Sequence, residues 1–344
     1  MSKTTITIEG DTFYINGHPT YQGRYWHGHK IEGLLLNTRM VQATFDDANP
    51  ATASRWAYPD TGRWDPERNL REFIDAMPLY RDSGVLALTL NLQGGSPEGY
   101  SKEQPWHNSA IAADGSLCDD YMGRFARIFD RADELGMVLI LGLYYFGQDQ
   151  RIQDEDAVYR AADNATDWLI DHNYTHVLIE VNNECNVARY SHEALKPHRV
   201  HELIRHLREY SIAQGQRLLV GTSYGGGTLP GGKVVGESDF VLIHGNGVSD
   251  PARIAEMVRQ TRVMSAYRPM PILINEDDHF DFDKPWNNFL AALSEYCSWG
   301  YFDPGKNDYR NGYQSVPTRW DLNTERKKEF FALAKTISGW ESTP

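Results

Sequence analysis

Short β-rich runs and longer amphipathic stretches alternate eight times along this chain, which restricts its architecture before any single residue is weighed. The runs are RMVQATF (39–45), VLALTLNL (85–92), MVLILGLYY (137–145), HVLIEVN (176–182), RLLVGTS (217–223), DFVLIHG (239–245), PILINE (271–276) and CSWGYF (297–302). Strands separated by helical stretches pair in parallel, because a parallel return needs a crossover long enough to hold a helix. Segments 69–84, 121–136, 157–172, 200–215 and 252–267 carry apolar residues at helical spacing. Gly84, Gly136 and Gly215 end three of them as helix caps do. A last helix is expected from Thr324 to Ser338. Eight such units favour a closed (β/α)8 TIM barrel over 38–344 within a single domain spanning 1–344. An open doubly wound sheet is the competing arrangement, but no Gly-rich turn follows the first strand, so the dinucleotide fingerprint is missing. Ahead of the barrel, Gly10-Asp11 and Asn16-Gly17 punctuate short β-rich pieces and predict a small hairpin over 1–25 that plugs the larger fold.

Charge narrows the partners. Lys plus Arg number 34 and Asp plus Glu 47, a formal net charge of −13 that repels phosphate backbones and anionic lipid. Nucleic acid and membrane partners are therefore not expected. A polyanionic substrate is also disfavoured unless a local basic cleft overrides the average. Cys118, Cys185 and Cys297 are odd in number and scattered, which is neither a disulfide framework nor a zinc site. MSKTTITIEG has no apolar signal segment and no stretch approaches 18 apolar residues. The expectation is a cytoplasmic protein, or a secreted or periplasmic one from which a signal has been removed.

In barrels the chemistry sits at the carboxyl ends of strands. Strand four ends IEVNNECN and strand seven ends ILINEDDH, so each apolar run stops at an Asn-Glu pair: Asn183-Glu184 and Asn275-Glu276. A Glu at one strand end is ordinarily a solvated loop residue or a salt-bridge partner. Two Asn-Glu pairs three units apart, 276 − 184 = 92 residues, are harder to reach by accident and can face each other across the barrel mouth. Such a pair does double-displacement chemistry at a glycosidic carbon when its carboxyls are roughly 5–5.5 Å apart.

With those residues the chain resembles the clan A glycoside hydrolases, the group that includes cellulase-like family 5 enzymes. The resemblance covers the hairpin, the eight units and both glutamates. It implies a retaining β-glycosidase with Glu184 as acid/base, Glu276 as nucleophile, Asn183 on the sugar 2-hydroxyl and Trp299 as the aromatic after strand eight. Two departures stand out. The His-x-Tyr expected after strand six is His244-Gly245-Asn246 here, and the Arg expected on strand two has no counterpart in VLALTLNLQGG.

Other residues fill in the reading. Glu180, mid-strand and in phase with Glu184, reads as a buried, paired carboxylate of the barrel interior. His244 is a candidate sugar ligand. Tyr144 and Tyr145 end strand three, and one of them should face inward. Asn91, Gln93 and Gln148 are candidate hydroxyl partners, and Trp299 is a candidate platform for a pyranose face. Asp277 and Asp278 are expected to support the site or, for Asp278, to bind substrate; one of them should be neutralised or turned away. A metal held by Asp277, Asp278 and His279 is a minor alternative, as is a metallohydrolase built on His27-x-His29, which lacks the later-strand ligands. No metal or cofactor is expected. The substrate class is an oligo- or polysaccharide, and the competing function is a carbohydrate-binding barrel that kept the cleft and lost the chemistry. The long segments 46–68, 93–120 and 302–320 should shape the cleft.

Overall fold

A computed structural model describes residues 3–305 and 311–340. Residues 306–310 of the expected 302–320 loop lie outside the described residues. Eight parallel strands form the barrel: β1 (Asn37–Arg39), β2 (Ala87–Asn91), β3 (Val138–Tyr144), β4 (Val177–Asn182), β5 (Leu219–Gly221), β6 (Val241–His244), β7 (Ile272–Glu276) and β8 (Gly300–Tyr301). Ladders run β5-β4-β3-β2-β1-β8, and β6 pairs with β7. Parallel bridges Leu273–Ser298 and Asp277–Tyr301 join β7 to β8. The Asp239 amide donates to the Val220 carbonyl at 2.9 Å and links β5 to the head of β6. These contacts set the eight strands in sequence order around the barrel, with that backbone bond in place of a ladder between β5 and β6. No described helix is long and apolar enough to cross a membrane.

The crossover helices are α1 (Pro66–Asp82), α2 (Asp119–Leu135), α3 (Glu155–Asp171), α4 (Val200–Ala213), α5 (Gly232–Glu237), α6 (Pro251–Arg262), α7 (Asn288–Ser294) and α8 (Glu325–Ser338). Their starts follow capping chemistry. Asp65 and Asp250 each cap a helix that opens on Pro, and Asp154, Asn287 and Thr324 accept amides of their own first turns. Gly136 closes α2 with φ 64°. Gly84 and Gly215 lie one residue beyond their caps, Ser83 and Gln214, also with positive φ. The short α5 and α7 were not visible as helical periods, because six or seven residues span barely two turns.

Two strand boundaries need correction. The run 39–45 is strand only at its first residue: β1 ends at Arg39, and Val41–Thr44 form a 3-10 turn. A buried apolar turn and a buried strand are both continuous apolar runs, so pattern alone cannot separate them. In 297–302 only Gly300 and Tyr301 form a ladder, with Ser298 bridging to Leu273.

The leading segment is a three-stranded antiparallel meander, Ile6–Glu9, Thr12–Ile15 and His18–Pro19, turned at Asn16 (φ 55°) and Gly17 (φ 77°). Asn-Gly adopts that pair of positive φ angles readily, and the twist suits a hairpin. Ile6 and Phe13 pack against Leu35, Leu86, Ala87, Val138, Ile140, Leu178, Phe240, Leu242 and Leu273. Most of these begin their strands, so the meander stoppers the amino-terminal end of the barrel with apolar side chains. Further along the same strands the interior becomes polar, with Asn37, Arg39, Thr89, Asn91, Glu180, His244 and Asn275 all buried. The chemistry is confined to that half.

Candidate active site

Glu184 follows β4 and Glu276 ends β7. The pair is bridged by His244 at the end of β6, whose Nδ1 lies 3.1 Å from Glu184 Oε1 and 3.6 Å from Glu276 Oε2. One oxygen of each glutamate and the imidazole nitrogen all fall within 4.8 Å of one another. A bulge between Ile243 and His244 shifts the β6–β7 register so that His244 stands opposite Glu276. Bulges re-aim side chains in this way beside functional sites. Glu184 itself has φ 51°, a left-handed conformation that costs a non-glycine residue of order 1–3 kcal/mol. Its amide donates to Ser223 Oγ at 2.9 Å, and the next amide, Cys185, donates to the Ser223 carbonyl at 2.9 Å. These two bonds from the end of β5 hold the strained turn.

The partners that sequence reading found missing are supplied from elsewhere. Arg39, 2% exposed, places Nε 3.1 Å from Glu276 Oε2 and Nη1 4.0 Å from Glu180 Oε2. It comes from β1, not β2. Asn246, two residues after His244, donates its amide to Glu276 Oε1 at 2.6 Å, where the related pattern has Tyr. Gly245 between them is pressed against Asp277: a Cβ there would meet Asp277 Oδ2 at 2.2 Å. A signal for Arg39 existed. An Arg inside an apolar strand is almost never buried without a carboxylate partner. Because the strand had been drawn too late, Arg39 stood at its beginning, away from the catalytic end.

Burial raises the Glu276 carboxyl, and Glu184 raises it too; Arg39, His244 and Asn246 pull against them without cancelling the rise. Burial acts upward on Glu184 as well, but the His244 hydrogen bond and charge outweigh it and hold that carboxyl below its ordinary value. His244 is raised: burial opposes its charge, yet Glu276, Glu184 and Glu180 together overcome burial.

Glu180 is fully buried, accepting from Ser223 Oγ and from Asn275 Nδ2 at 3.2 Å, and so is the paired interior carboxylate anticipated. Asn183 is 2% exposed; its carbonyl accepts the Tyr190 hydroxyl, and its Oδ1 meets no hydrogen-bond partner among the described residues. Asn91 lies in the barrel interior beside Gly142, and neither of its amide atoms meets a partner among the described residues. Tyr145, close enough to feel the charges of Glu276, Arg39 and Glu184, is the inward member of its pair. Tyr144 is not: its hydroxyl donates to the Val158 carbonyl of α3, in the helical layer.

Three further expectations change. Trp299 is no sugar platform, because it is fully buried, stacks on Phe289 at 4.8 Å and donates Nε1 to Asp277 Oδ2 at 3.0 Å. Gln148 is also fully buried, tying the Asn108 amide, the Trp106 carbonyl and Arg151 together beneath the loops. Gln93 accepts the Tyr145 amide and donates to Ser109. Strand-end position was legible for all three, but side-chain direction after the last ladder bond was not.

Asp277 points into the core, held by Trp299, Asn288 and His279. Asp278 faces the rim and accepts the Tyr100 hydroxyl at 2.8 Å and the Gly247 amide at 3.2 Å. His279 Nδ1 lies 3.0 Å from Asp277 and 3.2 Å from Asp278, and these two carboxylates raise it to about 10. These three side chains place their ligand atoms within 4.8 Å of one another, and His279 pairs with both carboxylates. His27 and His29 sit in the turn Tyr25–Trp26/His29–Lys30, where a surface hollow is shared with Phe282 and Trp286.

No protein-family model matches the chain, and comparison with curated proteins finds no match in sequence. Solved structures do match in fold. A glycoside hydrolase family 5 mannosidase from Rhizomucor miehei superposes with a TM-score of 0.53 at 13% identity, covering 98% of this chain and 99% of that one. A GH5-4 broad specificity endoglucanase from an uncultured bacterium gives 0.52 at 12% identity, over 89% and 94% of the two chains. PbGH5A, a glycoside hydrolase family 5 enzyme from Prevotella bryantii B14, gives 0.51 at 13% identity, over 86% and 96%. The chain thus shares the (β/α)8-barrel fold of these family 5 glycoside hydrolases at low sequence identity.

Proposed function

We propose that this chain is a retaining β-glycoside hydrolase acting on an oligo- or polysaccharide. The observation that supports the reading is the Glu184–His244–Glu276 trio, in which one oxygen of each carboxylate and an imidazole nitrogen lie within 4.8 Å of one another; double displacement calls for two closely spaced carboxyls of this kind. Glu276 is the nucleophile. Asn246 occupies its Oε1, which leaves Oε2, beside Arg39, to attack the anomeric carbon. Glu184 donates a proton to the departing glycosidic oxygen and later removes one from water, as the glycosyl–Glu276 ester is hydrolysed. The 3.1 Å contact between His244 Nδ1 and Glu184 Oε1 gives the two groups a route for sharing a proton. Asn183, Tyr145, Asn91 and Asp278 are proposed to contact substrate hydroxyls. Arg39 and Asn246 are positioning residues, and their presence weighs against a barrel that kept only its binding cleft.

The test is mass spectrometry of the intact protein after exposure to 2-deoxy-2-fluoro glycosyl fluorides of several sugar configurations. A gain of one fluorosugar mapping to Glu276 is expected, together with loss of turnover in Glu276→Gln and azide rescue of Glu184→Ala on substrates with good leaving groups. Turnover near the wild-type rate in Glu276→Gln refutes the assignment.

A further inference from the structure

Beside the catalytic mouth lies a cavity of about 450 Å³ lined by Tyr100, Ser101, Lys102 and Arg189. Tyr100 is the wall it shares with the active site, since its hydroxyl is bound to Asp278, two residues beyond Glu276. Arg189 stands five residues after Glu184, on the same β4–α4 connection. Its guanidinium is fixed before any ligand arrives: Nη1 donates to the Ser101 and Lys102 carbonyls, and the group lies 4.4 Å from the Phe146 ring. That arrangement leaves the Nε–Nη2 edge, the fork that matches a carboxylate, uncommitted.

Charge is the second observation. In a chain of net charge −13, these two cations face no carboxylate within ion-pair distance among the described residues. Two neighbouring acids are engaged elsewhere. Glu98 pairs with Arg55 at 3.6 Å, and Asp278 is shared by Tyr100 and His279. Glu103 lines an adjacent hollow with Lys102, Arg55 and Glu98. Arg189 thus offers a pre-oriented fork outside any ion pair, with Lys102 beside it as a second cation.

We infer that Arg189 and Lys102 form a leaving-group subsite for a carboxylate-bearing sugar, a uronic acid residue. The side follows from the chain: the acid/base protonates the departing sugar, and Arg189 extends from the acid/base loop. The inference rests on the glycosidase reading for its name as a subsite, but its recognition chemistry is testable without turnover. Binding of methyl β-D-glucuronide and of methyl β-D-glucoside to the full chain is measured by NMR titration, at low salt and at 0.5 M salt, for wild type, Arg189→Ala and Lys102→Ala. A preference for the glucuronide of roughly five- to tenfold is expected at low salt, as two partly exposed charge contacts give. It should weaken at high salt and fall at least twofold in each variant. Equal dissociation constants for the two sugars in the wild type overturn the inference, as does a preference that both variants retain. The Lys102 side chain is exposed, and its replacement keeps the backbone carbonyl that accepts Arg189, so its variant separates lost recognition from a disturbed loop. Hydrolysis without this preference refutes the subsite alone, whereas the preference without hydrolysis of any saccharide refutes the glycosidase reading and leaves an acidic-sugar site standing.

Discussion

Replacing Arg39 by Met removes the only guanidinium seen against Glu276, the proposed nucleophile, among the described residues, and the geometry sets the size of the effect. At 3.1 Å from Glu276 Oε2 and an effective dielectric of about 20, the attraction is roughly 5 kcal/mol. Rearrangement of His244 and entry of water should recover part of it, leaving about 3 kcal/mol, or roughly two pH units at 1.36 kcal/mol per unit. The sign is fixed, because a cation favours the ionised carboxylate, so its loss raises a group that burial has already raised. In kcat/KM against pH, the ascending acid limb should move upward by about two units, with a drop of order a hundredfold at the wild-type optimum. Stability should follow. With Glu276 ionised and left to Asn246 and His244 alone, the variant should lose about 3 kcal/mol near neutral pH. The deficit should shrink as pH falls and Glu276 takes up its proton, which denaturant titration at several pH values reads directly. An acid limb in Arg39→Met that coincides with the wild-type limb refutes the claim that Arg39 holds the nucleophile ionised.

Other consequences follow from the same contacts. Asn246→Ala should lower kcat about a hundredfold with KM little changed, and Asn246→Asp should do worse because it sets a like charge against Glu276 Oε1; steady-state kinetics of both variants decide it. His279 carries a folded-state pKa raised from 6.5 to about 10, so its contribution to stability is full below about 6.5 and is lost as pH rises through about 10. His279→Gln should flatten the denaturation free energy across that window, and an unchanged slope contradicts the pairing with Asp277 and Asp278. Trp299→Phe removes a hydrogen bond to buried Asp277 and should cost about 1–3 kcal/mol of stability while leaving KM alone; a rise in KM without loss of stability would return Trp299 to the cleft. Phe13→Ala at the stoppered end should cost about 3–5 kcal/mol in urea denaturation without altering the kcat of the folded enzyme.

Most of the barrel was legible in the sequence because strands β2 to β7 are buried and read as mainly apolar runs, and because long crossovers leave parallel pairing as the way to use them; β1, Asn37-Thr38-Arg39, carries no such signal. The two glutamates were legible because an apolar run that stops on Asn-Glu twice is a local pattern. What surrounds them was not. Arg39, Asn246 and Tyr100 reach the site from three separate loops or strand ends, and only the ring closure sets them beside Glu276 and Asp278. Parity also fails beyond the last ladder bond. Tyr144 by alternation should share the inward face with Gly142, yet its hydroxyl ends on α3, while Tyr145 turns toward the carboxylates. Trp299 illustrates the same limit from the other side, since an aromatic after strand eight fits a sugar face and a hydrophobic core equally well until its neighbours are known.

The left-handed backbone at Glu184 bears on how this chain can change over time. A glycine at that position would relieve the strained torsion and, if the turn kept its two bonds to Ser223, would make the protein more stable while abolishing proton transfer. Random substitution therefore meets two opposed slopes at one codon: folding favours losing the side chain and chemistry favours keeping it. On the proposed role of Glu184, a lineage released from the reaction would slide down the first slope, whereas one under demand for turnover would keep the strained side chain.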